Sequence, residues 1–263
     1  MQYVEANGTR IPAIGLGTWD LRGRVCSRIV EQALRQGYRH IDTAEMYENE
    51  REVGEGLRAS GVKRSDVFIT TKIWPTHFAP RDFERSTKDS LVRLRLSDVD
   101  LLLLHWPNPR IPLSETIGAL CKMKKTGFTR HIGVSNFTVP LLTEALALST
   151  EPLITNQIEW HPYRDQSEIV AACRKQGLAV TAYSPIARGK AATDKVLSTI
   201  GMAHGKTAGQ VSLRFLVQEG AVVIPRTSKV ERLAENFAIF DFALTKGEMA
   251  DIRKLGAAQH SVL

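Results

Sequence analysis

From Ala13 onwards, short apolar and β-branched runs alternate with longer segments whose apolar positions recur every three or four residues. The short runs predict eight strands, at 13–19 (AIGLGTW), 38–43 (YRHIDT), 67–73 (VFITTKI), 99–106 (VDLLLLHW), 131–137 (HIGVSNF), 154–160 (ITNQIEW), 178–184 (LAVTAYS) and 221–227 (AVVIPRT). Between them the period is helical: Cys26, Ile29, Val30, Ala33 and Leu34 follow one i, i+3, i+4, i+7, i+8 stripe. Thr207 with Gln210, and Ser228 with Glu231, predict capping boxes, in which each side chain accepts the other residue's orphaned backbone N–H. Gly37, Gly61, Gly127, Gly177 and Gly220 close helical segments, where a left-handed stop favours glycine. Upstream, VEANGTRI sets Asn-Gly between two short apolar stretches, a hairpin signal.

No Pro/Gly/Ser-rich linker and no shift of composition interrupts the rhythm, so residues 1–263 read as one repeating βα unit. Eight parallel strands with crossover helices form either a closed (β/α)8 barrel or an open doubly wound sheet, and alternation allows both. Polar positions are more telling. In a barrel the chemistry gathers at the carboxyl ends of several strands. Here those ends are Trp19, Asp42, Lys72, His105, Ser135 with Asn136, Gln157, Tyr183 with Ser184, and Arg226, all polar or aromatic.

Taken singly, each has an ordinary use. Asp42 could cap a helix, Lys72 be a solvated charge, His105 a core histidine and Tyr47 a surface aromatic. Taken together at consecutive strand ends, they suit one shared rim. A phenol with a pKa of about 10 is a better proton donor near neutrality if its anion is stabilised. An ammonium at ~4 Å and an effective dielectric of ~20 stabilises that anion by about 4 kcal/mol, enough to lower the pKa by roughly two to three pH units. Lys72 could supply the ammonium, Asp42 hold it charged, and His105 orient a carbonyl oxygen beside Tyr47. Such a set protonates an alkoxide as it forms, which calls for a nicotinamide cofactor.

The usual dinucleotide fingerprint is absent: after Gly15 and Gly17, Asp20 stands where the third glycine belongs. No P-loop, GxSxG, HExxH or CxxC occurs either. IPRTSKVERLAEN offers another anchorage, with Arg226, Thr227 and Ser228 before a helix start and Arg232 one turn in, because free amides and guanidinium groups bind phosphate. An ordinary capped surface helix would share those features.

Composition narrows the partners. The chain of 263 residues is 43% hydrophobic and carries 35 Lys and Arg against 28 Asp and Glu, a net charge of +7 that suits an anionic partner. The cations are scattered and no nucleic-acid motif accompanies them, so a phosphorylated cofactor is preferred to nucleic acid. Cys26, Cys121 and Cys173 are too few and too dispersed for a disulfide framework or a metal site, which implies a reducing compartment. No apolar run approaches bilayer length and no leader pattern is present. The expectation is a cytoplasmic protein, without nucleic-acid or membrane partners.

The segments GYRHIDTAEMYENEREVG, TTKIW, LLLLHWP, IGVSNF, NQIEWHP, AYSPIARG and VIPRTSKVERLAENFAIFDF, in this order and spacing, resemble the aldo-keto reductase family over nearly the whole chain. The resemblance implies a (β/α)8 barrel with an amino-terminal hairpin at its bottom. It also implies NADPH bound extended, and catalysis by Asp42, Tyr47, Lys72 and His105 with Tyr47 as the acid. Ser135, Asn136 and Gln157 would hold the nicotinamide carboxamide and Tyr183 stack on its ring. Arg226, Thr227 and Arg232 would meet the 2′-phosphate, and Glu235 and Asn236 the adenine. Further cofactor contacts are implied at Gly17, Thr18, Trp19, Asp42, Ser184, Pro185, Ile186, Arg188, Ile224, Pro225 and Ser228. Trp19, Tyr47, Trp74, His105 and Trp106 would form the substrate wall.

Many members carry lysine at Arg226, which keeps the charge, so NADP preference is expected to survive. The HWPNPRIPLS connection is short and only AAQHSVL follows the apparent last helix, so an open pocket is expected. The short form is similar to bacterial 2,5-diketogluconate and methylglyoxal reductases, which implies small aldehydes, dicarbonyls or keto sugars and a monomer. A cofactor-loaded regulatory or binding subunit on the same barrel is the alternative.

Overall fold

A computed structural model describes residues 1–257. The chain opens with β1 (Tyr3–Ala6) and β2 (Thr9–Pro12), paired antiparallel through Asn7 and Gly8. Both turn residues have positive φ, 38° and 86°, as a tight hairpin turn of the primed type requires.

All eight expected strands form, six of them shortened and β7 and β8 shifted one or two residues towards the amino terminus: β3 (Leu16–Gly17), β4 (His40–Asp42), β5 (Phe68–Ile73), β6 (Val99–Leu104), β7 (Thr129–Ser135), β8 (Leu153–Glu159), β9 (Ala179–Tyr183) and β10 (Val222–Val223). They lie side by side in chain order, all parallel. Gly15 N–H donates to the Val223 carbonyl at 2.8 Å and Gly17 N–H to the Pro225 carbonyl at 3.1 Å. These bonds join the first strand to the last and close the (β/α)8 barrel, which excludes the open sheet. Pro225 has no N–H to donate, and β10 stops short of it.

Between the strands run α1 (Gly23–Arg35), α2 (Glu50–Ser60), α3 (Pro80–Leu94), α4 (Leu113–Lys125), α5 (Val139–Leu148), α6 (Ser167–Lys175), α7 (Lys195–His204) and α8 (Ala208–Gln218). After β10 come α9 (Val230–Phe237) and α10 (Lys246–Ala257). The Thr207–Gln210 capping box forms at α8. The one expected at Ser228 does not: Thr227 Oγ1 instead accepts the Lys229 N–H at 3.0 Å, and α9 starts at Val230 with no side-chain cap. None of the described helices is long and apolar enough to cross a membrane. The last six residues of the segment expected to leave the pocket open, 258–263, lie outside the described residues.

Two apolar zones follow from the period of two along a strand. Leu102 and Leu104 face outward into the large shell between sheet and helices. Leu101 and Leu103 face inward and cluster with Ile154, Ala179 and Val222, and with Ala6 and Ile11 of the hairpin. The hairpin is fastened at the amino ends of the strands, where Asn7 N–H donates to the Gly177 carbonyl at 3.0 Å and Asn7 Nδ2 to the Leu153 carbonyl at 2.7 Å. With that end plugged by apolar side chains, the polar positions further along each strand collect at the carboxyl end.

The shell contains close approaches that only glycine permits, the tightest of them at Gly54. A Cβ on Gly54 would lie 2.2 Å from the Leu94 carbonyl oxygen, where α2 meets the end of α3. Gly54→Ala is therefore expected to destabilise the protein by about 1–3 kcal/mol through overpacking, despite alanine's better helix propensity. Thermal unfolding checks this; an unchanged Tm would show that the two helices can separate freely.

Candidate active site

The period of two that sends Leu101 and Leu103 inward also aligns His40 with Asp42 on β4 and Thr70 with Lys72 on β5. Asp42 and Lys72 thus sit at the top of the interior, 1% and 0% exposed. Lys72 Nζ donates to Asp42 Oδ1 at 2.5 Å, to the Thr43 carbonyl at 2.8 Å and to Tyr47 Oη at 3.3 Å. An ammonium has three protons to donate, and all three have acceptors. Asp42 is no helix cap: its Oδ2 accepts from Gln157 Nε2 at 2.7 Å, which ties β8 to the same cluster.

Charge states follow from this enclosure. Burial by itself would push the Lys72 pKa down, but the Asp42 carboxylate and Tyr47 outweigh it, and the ammonium is held above its ordinary pKa. At Tyr47 the balance differs from the sequence expectation. Burial pushes the phenol up and Lys72 pulls it down, while Asp42 pushes up again, so the net direction is upward. Tyr47 is half-buried on the cleft wall, with its hydroxyl beside Lys72. Tyr47 accordingly keeps its proton throughout the neutral range. Lys72 offsets part of what burial alone would impose on the phenolate.

His105, at the end of β6, sits edge-on between Tyr47 (ring centroids 5.5 Å apart) and Trp74 (5.1 Å). Burial and the nearby Lys72 push its pKa down to about 3, so the imidazole is neutral. Nδ1 is enclosed without a hydrogen-bond partner, which leaves Nε2 as the nitrogen a ligand can reach. A neutral ring makes a pH prediction. The His105 resonances should not titrate between pH 8 and pH 5 in a histidine NMR titration; a midpoint near the unperturbed ~6.5 would contradict the enclosure.

The Glu and Asn residues around Tyr47 brace its turn, Glu45–Tyr47. Glu45 Oε2 accepts the Trp74 N–H at 3.0 Å, and Glu45 Oε1 lies 2.8 Å from His77 Nδ1. Buried Asn49 accepts from the Thr43 hydroxyl at 2.8 Å and donates to the carbonyls of Thr18 at 2.8 Å and Leu21 at 3.0 Å. Arg22 donates to the Tyr47 carbonyl.

Above this cluster opens a cleft of about 480 Å³. Its walls bring together Gly17, Thr18, Trp19, Asp42, Tyr47, Trp74, His105, Trp106, Ser135, Asn136, Gln157 and Tyr183 with Ser184, Pro185, Ile186, Arg188, Ile224, Arg226 and Arg232. Lys72 lies beneath Tyr47 rather than on the wall. Pro225, Thr227, Ser228, Glu235 and Asn236 do not border the cleft; Thr227 is engaged in its own turn, and Glu235 accepts from the Thr207 hydroxyl at 2.8 Å. Met46 and Gly189 line it without having been expected. Met46 could have been inferred from its place beside Tyr47 in a one-turn helix.

The far wall is rigidly held. Tyr183 donates to Asn136 Oδ1 at 2.9 Å, Asn136 Nδ2 to the His105 carbonyl at 3.1 Å, and Ser135 Oγ to the Gln157 carbonyl at 2.9 Å. Asn136, Ser184 and Arg188 all have positive φ, 62°, 49° and 54°, and such strain in non-glycine residues clusters at functional sites. The donors fit a nicotinamide dinucleotide. Tyr183 offers an aromatic face, Gln157 Oε1 has no partner among the described residues, and Arg188, Arg226 and Arg232 supply cations for phosphate.

A closed eight-stranded barrel with an ammonium, carboxylate, phenol and imidazole at its carboxyl rim is the architecture of a carbonyl-reducing enzyme, and sequence comparison agrees. The chain belongs to the aldo/keto reductase family, whose family model matches residues 13–257, and it is an oxidoreductase. It is 41% identical over 248 residues to the methylglyoxal reductase DkgB of Yersinia pestis, covering 93% of each chain. To the glyoxal reductase of Bacillus subtilis it is 40% identical over 250 residues, covering 95% of this chain and 90% of that one. A crystal structure of a putative 2,5-diketo-D-gluconic acid reductase B superposes with a TM-score of 0.94 at 48% identity, over 96% of this chain and 91% of that one.

Proposed function

We propose that the protein reduces small aldehydes, dicarbonyls or keto sugars with NADPH, and that Tyr47 is the acid. The observation that carries this reading is Lys72 Nζ bridging Asp42 and Tyr47 at the floor of an aromatic cleft. The relatives named methylglyoxal and glyoxal reductase support the substrate class.

Ser135, Asn136 and Gln157 would hold the cofactor's carboxamide and Tyr183 its ring. Arg226, Thr227 and Arg232 would take the 2′-phosphate, and Glu235 and Asn236 the adenine. Gly17, Thr18, Ser184, Pro185, Ile186, Arg188, Ile224, Pro225 and Ser228 complete the contacts. When bound, the nicotinamide supplies hydride to the substrate's carbonyl carbon. His105 Nε2 orients the carbonyl oxygen, and the Tyr47 hydroxyl gives its proton to that oxygen as negative charge develops. Lys72 stabilises the phenolate left behind, while Asp42 fixes the position and charge of Lys72. Trp19, Trp74 and Trp106 shape the substrate side, with few polar groups to select one carbonyl compound. The reading is of a cytoplasmic monomer acting as one unit over 1–263.

The test is kcat/KM over a panel of methylglyoxal, glyoxal, keto sugars and nitrobenzaldehyde, with NADPH and NADH side by side. Turnover with NADPH preferred is expected. Tight NADPH binding with no turnover across the panel would overturn the reading in favour of a cofactor-loaded binding protein.

A further inference from the structure

Three arginines reach the cofactor side of the cleft, and they are not equivalent. Arg188 and Arg232 have no side-chain hydrogen bond or ion pair among the described residues, so their charges are available. Arg226 is already engaged. Its Nε donates to the Trp19 carbonyl at 3.2 Å and its Nη2 to the Asp20 carbonyl at 3.2 Å, while Nη2 lies 3.5 Å from Asp20 Oδ2. The guanidinium thus crosses the barrel seam, from the segment after β10 to the loop after β3. Gly17 and Arg226 are bridged there strand to strand. Asp20 holds a left-handed backbone at φ 60°, which aspartate tolerates better than most residues, with its carboxylate facing that guanidinium.

We propose that Asp20 determines cofactor specificity by competing with the 2′-phosphate for Arg226, so that this chain's preference for NADPH over NADH is weaker than its arginines alone would give. The inference rests on the function proposed above, which assigns Arg226 to the phosphate. A phosphate monoester offers the guanidinium a bidentate, doubly charged partner. Asp20 opposes that arrival twice, by occupying Arg226 and by repelling the incoming anion. Both partners are well exposed, 40% and 60%, so solvent screens the pair and its effect is moderate. NADH carries no charge at this position and is indifferent to Asp20.

Calorimetric titration of the ligand-free protein with 2′,5′-ADP and with 5′-AMP reads this without turnover. Asp20→Asn, which keeps the side-chain size and both carbonyl contacts to Arg226, should tighten 2′,5′-ADP by about two- to fivefold, or roughly 0.4–1 kcal/mol. 5′-AMP should be unchanged, and Asp20→Ser should act in the same direction. In an Arg226→Met background the Asp20→Asn gain should shrink to the small part due to direct repulsion, which shows that most of it passes through the guanidinium. An unchanged or lower 2′,5′-ADP to 5′-AMP affinity ratio in Asp20→Asn, or a gain undiminished without Arg226, would overturn the proposal. Titration of the parent with NADP+ separates the two failures. If the parent binds NADP+ and only the Asp20 effect is missing, the inference alone falls; if the parent binds neither NADP+ nor NAD+, the proposed function falls with it.

Discussion

Tyr47→Phe is expected to lower kcat/KM for carbonyl reduction by roughly 10²- to 10⁴-fold, the range for loss of a positioned general acid. The variant keeps the ring that packs edge-on against His105 and loses only the hydroxyl 3.3 Å from Lys72 Nζ. Dinucleotide affinity should therefore be unchanged and KM little altered, with the loss concentrated in kcat. A variant within a few-fold of the parent would remove Tyr47 from the chemistry.

Lys72→Met should abolish activity and also destabilise the fold by about 3–5 kcal/mol, because it leaves the Asp42 carboxylate buried without its counter-charge. Adding Asp42→Asn removes that stranded charge, so the double variant should regain most of the stability and none of the activity. Denaturant unfolding and turnover assays on the two single variants and the double variant give both readings. Stability lost additively would mean that the two charges are not coupled, and activity that returns with stability would mean that the pair is only structural.

Much of this was legible in one dimension. The eight strands stood out because a barrel strand is a short apolar run bounded by helical spacing. Asn7–Gly8 and the glycine stops announced their turns because positive φ restricts residue choice. The convergence of Asp42, Tyr47, Lys72 and His105 was legible once strand ends were compared with one another.

Properties that depend on enclosure were not. Closure of the sheet rests on hydrogen bonds between Gly15 and Val223, residues near opposite ends of the chain, and no local signal encodes them. The direction of the Tyr47 pKa was misread because the attraction of one ammonium follows from residue type, whereas desolvation depends on every atom packed around the hydroxyl. The Ser228–Glu231 pattern does not become a box: Thr227 takes the Lys229 N–H, and α9 starts at Val230 without a side-chain cap. Glu45 and Asn49 looked like ordinary polar loop residues; their partners Trp74, Thr18 and Leu21 lie on other connections, and only folding brings them into contact.

The structure of a ternary complex with NADP+ and an unreactive carbonyl analogue bears most directly on the site as a whole. The carbonyl oxygen should lie within roughly 2.6–3.2 Å of both Tyr47 Oη and His105 Nε2, with the nicotinamide ring against Tyr183 and its carboxamide on Gln157. An oxygen held elsewhere in the cleft, or a dinucleotide whose ring lies away from Tyr183, would contradict the assignment.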